Sequence, residues 1–197
     1  MVDSVAELER SADVQERCYH GFAKAQILLA QGDRAEALQV AESTFSEHDS
    51  IGIALDAVKE SFALAVQAAL ELDRLDKADE LLSIVERLPP GVRPQFLNAH
   101  VARFRAQLAQ RRGEADEAER LFKRAGGLFQ ELAVPFHLAV TRLEHGEWLR
   151  EQGRGDEAEP LLAEAQETFE RLQAAPWLER AAQATLTGHE PEAATAR

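Results

Sequence analysis

The chain of 197 residues contains little cysteine and comparatively little positive charge. Its single cysteine, Cys18, excludes an intrachain disulfide framework. Lysine and arginine number 22 against 35 aspartates and glutamates, a net charge of −13, which disfavours phosphate backbones and anionic membranes as partners. There is no uninterrupted apolar run of membrane-spanning length, and the acidic first residues do not resemble a signal peptide. We therefore predict a cytoplasmic protein that binds neither nucleic acid nor membrane.

The sequence also lacks the usual motifs of catalytic and cofactor sites. No glycine-rich loop leads into Lys and Ser or Thr, as a phosphate-binding loop would require. The six histidines are scattered and show no metal-ligand spacing. Gly126-Gly127 lies inside a helical pattern, where it predicts a weak and slightly kinked helix. We expect no enzymatic activity, no cofactor and no bound metal.

The strongest positive feature of the chain is an internal repeat. Four similar turn sequences are each followed by an alanine, and these alanines stand 41, 40 and 40 residues apart, at Ala37, Ala78, Ala118 and Ala158. A fixed period of 20–50 residues is typical of stacked units that bury their apolar faces only against neighbours. The sequence therefore predicts an all-α solenoid.

Each period predicts a helix, a tight turn and a second helix. Apolar residues recur at spacings of three and four on both sides of the first turn. A residue suited to the left-handed conformation ends each first helix: Gly32, Asp73, Gly113 and Gly153. The predicted helices are 12–31, 34–48, 51–72, 75–88, 94–112, 115–132, 135–152, 156–173 and 176–186.

Prolines and one helix-breaking segment suggest the domain organisation. Pro94, Pro135 and Pro176 stand where helices should begin, a position that tolerates the missing N–H. The segment 88–94 is the one long breaker, but the repeat continues through it, so we predict a single domain over 1–186. Its repeats are about 12–50, 51–93, 94–134 and 135–175, followed by a capping helix 176–186. Residues 187–197 have no apolar periodicity and are expected to form a disordered tail.

These residues resemble tetratricopeptide repeats. That family pairs a small residue in the first helix with an alanine early in the second. The small positions here are Ala25, Val66, Ala106 and Gly146, paired with the four repeating alanines. A second alanine seven residues further on is matched by Ala125 and Ala165, whereas Thr44 and Val85 replace it in the first two repeats.

The period of about 40 departs from the 34 residues of the family. It is similar to the long-period variants found in large bacterial signalling ATPases, in transcriptional regulators like the maltose-operon activator, and in nucleotide-cyclase fusion proteins. HEAT-like repeats also have a period near 40. The glycine turn together with the small pairs favours the tetratricopeptide interpretation.

The resemblance implies a right-handed superhelix whose first helices line a concave surface. Glutamines at one inner position could hydrogen-bond the main chain of an extended peptide, although a solvated polar stripe would have the same pattern. Basic residues on the fifth helix could bind an acidic group, or could instead pair with Glu71 or Glu147. The candidate binding residues are Phe22, Gln26, Gln67, His100, Arg103, Gln107, Arg111 and Glu147.

Two functions remain open at this point. The first is a non-catalytic scaffold that binds a protein or peptide, as the interaction or sensory arm of a larger cytoplasmic signalling protein. The second is a regulatory receptor for a small effector or signalling peptide that switches oligomeric state. A homodimer is compatible with either, because the first helix has an open end.

Overall fold

The computed structural model describes residues 11–186, and this part of the chain is all-α, without a strand. It contains nine helices of twelve or more residues and one helix of four residues. In chain order they are α1 (Val14–Gln31), α2 (Arg34–Ser46), α3 (His48–Ile51), α4 (Asp56–Glu71), α5 (Leu75–Glu86), α6 (Gln95–Arg111), α7 (Ala115–Glu131), α8 (Pro135–Glu151), α9 (Gly155–Leu172) and α10 (Ala175–Leu186). None of these helices is both long and apolar enough to cross a bilayer.

The predicted helix boundaries agree with the structure to within two residues, with one exception. The third predicted helix was expected from residue 51, but α4 begins at Asp56. The reason is Gly52, whose φ of 93° and ψ of 146° lie in a region open essentially to glycine alone. This residue ends α3, and the chain reaches α4 through a short irregular segment.

The four predicted turns are confirmed, and all have the same hydrogen-bond pattern. Each contains one residue with positive φ, including the non-glycine Asp73 at 55°. The following residue donates its backbone N–H to a carbonyl five residues earlier, as in the Schellman motif. These four bonds are Asp33 to Leu28 (2.9 Å), Arg74 to Ala69 (2.8 Å), Glu114 to Ala109 (2.9 Å) and Arg154 to Leu149 (2.9 Å).

The small residues that carry the repeat are all buried. The four repeating alanines and their partners Ala25, Val66 and Ala106 have no exposed surface, and Gly146 is buried as well. A Cβ added to Gly146 would lie 3.4 Å from the carbonyl oxygen of Ala158. Small residues allow helix axes to approach closely, which is the physical reason for their recurrence.

The chain divides into two compact units, the first ending at Leu108 and the second beginning at Ala109. The dividing point lies within α6 and not in the breaker 88–94. In the first unit, α4 packs against α1, α2 and α5, and the core includes Phe45, Phe62 and Phe104.

In the second unit, α8 packs against α7, α9 and α10. Its largest fully buried side chains are Trp148, Phe122, Phe129 and Phe169. Trp148 is therefore a core residue.

The predicted capping helix is present as α10 and packs against α8 and α9. The ring of Trp177 stacks on Phe169 with centroids 5.8 Å apart. Arg180 donates to both carboxylate oxygens of Glu147, at 2.9 and 2.5 Å, and Arg150 donates to the carbonyl of Ala184. The predicted tail, 187–197, lies outside the described residues.

Candidate functional site

The predicted inner-face residues of α1 and α4 differ in exposure. Gln26 is exposed, whereas Phe22 is half-buried and packs against the core of the first unit. The amide of Gln67 donates to Glu71 Oε1 at 2.9 Å, and Glu71 Oε2 accepts from Arg34 Nε at 2.8 Å. Gln67 therefore belongs to a polar chain that joins α4 to the start of α2.

The predicted basic cluster on α6 is largely buried. His100 is 1% exposed and Arg103 is 4% exposed, and the guanidinium of Arg103 lies 4.6 Å from the ring centroid of Phe104. Gln107 is half-buried, and Arg111 alone of the four is exposed. His100 and Arg103 therefore have little surface that an external acidic group could contact.

Glu147, the predicted inner-face residue of α8, is occupied by the bidentate pair with Arg180 described above. Glu71, the other predicted acidic partner of the α6 cluster, accepts from Arg34 and Gln67. Whether the eight predicted residues form a binding surface stays a prediction.

The second unit has a groove that the sequence analysis did not single out. It has a volume of about 330 Å³, at the lower end of the range typical of small-molecule sites. Helices α7, α8 and α9 line it, and none of the eight predicted site residues is part of it. Its lining residues are Glu119, Phe122, Lys123, Gly126, Gly127, Gln130, Leu138, Thr141, Arg142, His145, Leu149, Glu157, Pro160 and Leu161.

His145 is the most unusual polar group of the groove. It is 7% exposed, and its ring stacks on Phe122 with centroids 5.2 Å apart and 11° between the planes. Burial lowers the pKa of His145 from its usual 6.5 to about 4, so the imidazole is neutral at pH 7. Among the described residues, no atom is a hydrogen-bond partner of His145 Nε2.

Charged residues at the edge of the groove are held in ion pairs. Arg154 Nη1 donates to Glu119 Oε2 at 2.6 Å, and Lys123 Nζ donates to Glu119 Oε1 at 2.6 Å. These two cations lower the pKa of Glu119 from 4.5 to about 2. Arg142 pairs with Glu164 at 2.9 Å. The rim thus has charges of both signs, and its cations already have anionic partners.

Gly126 and Gly127 open the wall of the groove formed by α7. The helix is continuous from Ala115 to Glu131, so the two glycines do not interrupt it. Each is expected to destabilise the helix by about 1 kcal/mol relative to alanine. An added Cβ at Gly126 would meet only Leu138 Cδ1 at 4.0 Å, and one at Gly127 would have no neighbour within 4 Å in the described part of the chain. Packing inside the protein therefore does not require glycine at position 127.

This pair of adjacent glycines is the only part of the groove that the sequence analysis discussed. It was interpreted as a weak point of a helix, because the sequence alone does not show what lies beside it. His145 gave no comparable signal, since a lone histidine on a helix is most often solvated or structural.

Comparison with known proteins matches this chain to no family model and to no curated protein.

Proposed function

We propose that the chain is a non-catalytic tetratricopeptide-like scaffold that binds a protein or peptide. In this proposal the helices form a right-handed α-solenoid, which acts as the interaction or sensory arm of a larger cytoplasmic signalling or regulatory protein. The observation that carries the proposal is the repetition of one unit four times: the same turn geometry and the same buried small pair recur at steps of 41, 40 and 40 residues. Such arrays present extended surfaces to partners.

The packing order of the helices supports this interpretation. In the first unit, α1 packs against α2 and also against α4, the first helix of the next repeat. In the second unit, α8 packs against α9 and also against α10, the capping helix. α1 thus contacts both its own partner and the next first helix, and α8 contacts its own partner and the capping helix, as expected for stacked units.

The proposal is tested by peptide binding. The purified chain is applied to an array of immobilised 15-residue peptides, and the affinity of each captured peptide is measured in solution. The double variant Gln26→Ala, Gln107→Ala should weaken binding about tenfold, because each amide would lose a hydrogen bond to the peptide main chain. Gln39→Ala, an exposed position on α2, is the matched control and should bind normally. Absence of any captured peptide, or equal affinity of the double variant, would contradict the proposal.

The second candidate function, a regulatory receptor for a small effector, is favoured by the groove of the second unit. A largely preformed apolar cavity with a few polar groups is the usual form of a small-molecule site. In the receptor version, effector binding would change the oligomeric state of the chain.

A homodimer is proposed alongside either function. Tyr19 and Ile27 on α1 are large apolar side chains with 44% and 57% of their surface exposed. If they form a dimer contact, light scattering should show a dimer that Ile27→Glu converts to a monomer. If the wild type is a monomer over a wide concentration range, the homodimer proposal is wrong.

A further inference from the structure

The exposed face of α1 carries little charge, although the chain as a whole has a net charge of −13. The exposed residues from position 19 to position 31 are all uncharged: Tyr19, Ala23, Gln26, Ile27, Ala30 and Gln31. Lys24, in the same stretch, is half-buried and pairs with Glu36 at 3.4 Å. By contrast, the exposed residues of α9 include Asp156, Glu159, Glu167 and Glu170. A second acidic molecule can therefore approach this face of α1 without like-charge repulsion at the contact.

The same face of α1 has large apolar side chains. Tyr19 and Ile27 are two of the four large apolar residues that are exposed in the described part of the chain. Ala23 lies midway between them, four residues from each, so the three residues share one face of the helix. Apolar side chains grouped on one uncharged face are typical of an interaction surface.

The order of these three residues is self-complementary. Suppose that α1 crosses α1 of a second copy in antiparallel orientation at Ala23. Tyr19 of each copy then lies at the level of Ile27 of the other, about 6 Å from the crossing point along the helix axis. The small side chain of Ala23 allows the two helix axes to approach closely. The contact between Tyr19 and Ile27 occurs twice, as a two-fold interface requires.

Glu16 favours the antiparallel orientation over the parallel one. It is exposed and lies seven residues before Ala23, two helical turns away on the same face. In a parallel pair, Glu16 would lie opposite Glu16 of the second copy, and such a like-charge contact is unfavourable. In the antiparallel pair it lies opposite Ala30, which is seven residues after Ala23.

We propose that α1 pairs with α1 of a second copy, antiparallel and with Ala23 at the two-fold axis. This inference rests on the homodimer proposed above and adds which residues meet and in which orientation. One helix pair is a small interface, so we expect a weak dimer with a Kd in the micromolar range.

The orientation is tested by disulfide cross-linking, with oxidised glutathione as the oxidant. In Ala23→Cys the two new thiols should lie at the crossing point, within the Cα separation of about 4.4–6.8 Å that a disulfide requires. Ala30→Cys is the matched control, an exposed alanine of the same face. Its two copies would be about 21 Å apart along the helix axes, so it should not cross-link. The native thiol, Cys18, is 1% exposed, so the wild type should not cross-link either.

The contact itself is tested by light scattering of the chain from about 1 μM to about 1 mM, a range that brackets a micromolar Kd. Ile27→Glu places a carboxylate in the apolar contact on both sides of the two-fold axis, and should raise the Kd at least about tenfold. Val92→Glu is the matched control, because Val92 is 55% exposed, close to the 57% of Ile27, and lies outside α1. Circular dichroism establishes that each variant is folded.

The proposal is supported if the wild type forms a dimer that Ile27→Glu weakens and Val92→Glu does not, and if Ala23→Cys cross-links while Ala30→Cys does not. If a dimer forms but Ala23→Cys does not cross-link, or Ala30→Cys cross-links as readily, the antiparallel geometry is overturned and the homodimer stands. A wild-type monomer over the whole concentration range overturns both. The face of α1 would then be open to a different molecule or covered by another segment of the chain.

Discussion

The Cα of Gly146 faces Leu162 so closely that a Cβ on Gly146 would lie 2.7 Å from Leu162 Cδ2 and 2.8 Å from Cγ. Gly146 is on α8 and Leu162 on α9, so this contact sets how closely the two helices of the fourth repeat approach. The sequence analysis expected the close neighbour to be Ala158, whose carbonyl oxygen lies slightly further away at 3.4 Å.

Gly146→Leu should therefore destabilise the protein by about 1–3 kcal/mol, because the larger side chain overpacks the contact with Leu162. Even Gly146→Ala should be destabilising, although alanine favours a helix by about 1 kcal/mol over glycine. The measurement is the free energy of unfolding in urea. Gly127→Ala is the control, because it adds a methyl group without a clash. It should raise the free energy of unfolding by up to about 1 kcal/mol. If Gly146→Ala and Gly127→Ala have equal stability, α8 does not pack on α9 in the way described here.

A second close approach joins Gly21 on α1 to Thr44 on α2. A Cβ on Gly21 would overlap Thr44 Oγ1 and lie 3.4 Å from Thr44 Cβ, while that hydroxyl donates to the carbonyl of Val40 at 2.9 Å. Gly21→Ala should destabilise by about 1–3 kcal/mol. Adding Thr44→Ala removes the overlapping atom, and the double variant should recover about 0.5 kcal/mol or more relative to the sum of the single variants. Additive single effects in urea unfolding would show that the two residues do not touch.

His145 should make stability depend on pH. Its pKa is about 4 in the folded state against 6.5 in the unfolded chain. As pH falls from 6.5 to 4, the unfolded state therefore binds a proton that the folded state does not. Above pH 6.5 the neutral imidazole makes its full contribution to the free energy of unfolding. As pH falls towards 4 this contribution is lost, which lowers the free energy of unfolding by at most about 3 kcal/mol.

The check is urea unfolding of the wild type and of His145→Phe at several pH values between 7.5 and 4.5. The charged groups that act on the pKa of His145 are Glu119, Lys123, Arg154 and Glu157. Glu119 has a lowered pKa, so its contribution to stability is lost only below pH 4.5, outside the pH range of the experiment. The variant should have a flatter pH profile than the wild type, and parallel profiles would mean that His145 is protonated equally in both states.

Ala133 ends the third repeat in a left-handed conformation, with φ of 54°. An L-residue with a side chain is disfavoured there by about 1–2 kcal/mol, and glycine avoids most of this strain at some entropic cost. Ala133→Gly should therefore stabilise the protein by up to about 1 kcal/mol. Ala163→Gly, at an exposed position inside α9, is the matched control and should destabilise by about 1 kcal/mol. A thermal midpoint that falls in both variants would contradict the expected strain at Ala133.

The sequence was a good guide to the helices and turns because their causes are local. A glycine or aspartate after an apolar stripe is sufficient to predict a left-handed helix end, and Gly32, Asp73, Gly113 and Gly153 all adopt it. The one large boundary error, at α4, arose at Gly52, because glycine permits many conformations and its sequence context does not indicate which is used.

The site residues were harder to predict because burial depends on neighbours distant in sequence. Arg103 and Gln26 were both assigned to an inner face by repeat position, yet the structure buries the first and exposes the second. The groove could not be predicted, since it needs Gly127, His145 and Leu161 from three different helices to come together.

By itself, then, the order of residues determined where helices start and stop and which small residues must be buried, since hydrogen bonding and side-chain volume act over a few residues. Tertiary structure alone decided that Leu162 is the side chain facing Gly146, that Nε2 of His145 is buried without a partner, and that two glycines border an open groove. These features depend on the angle and distance at which helices pack, which no single segment of the chain specifies.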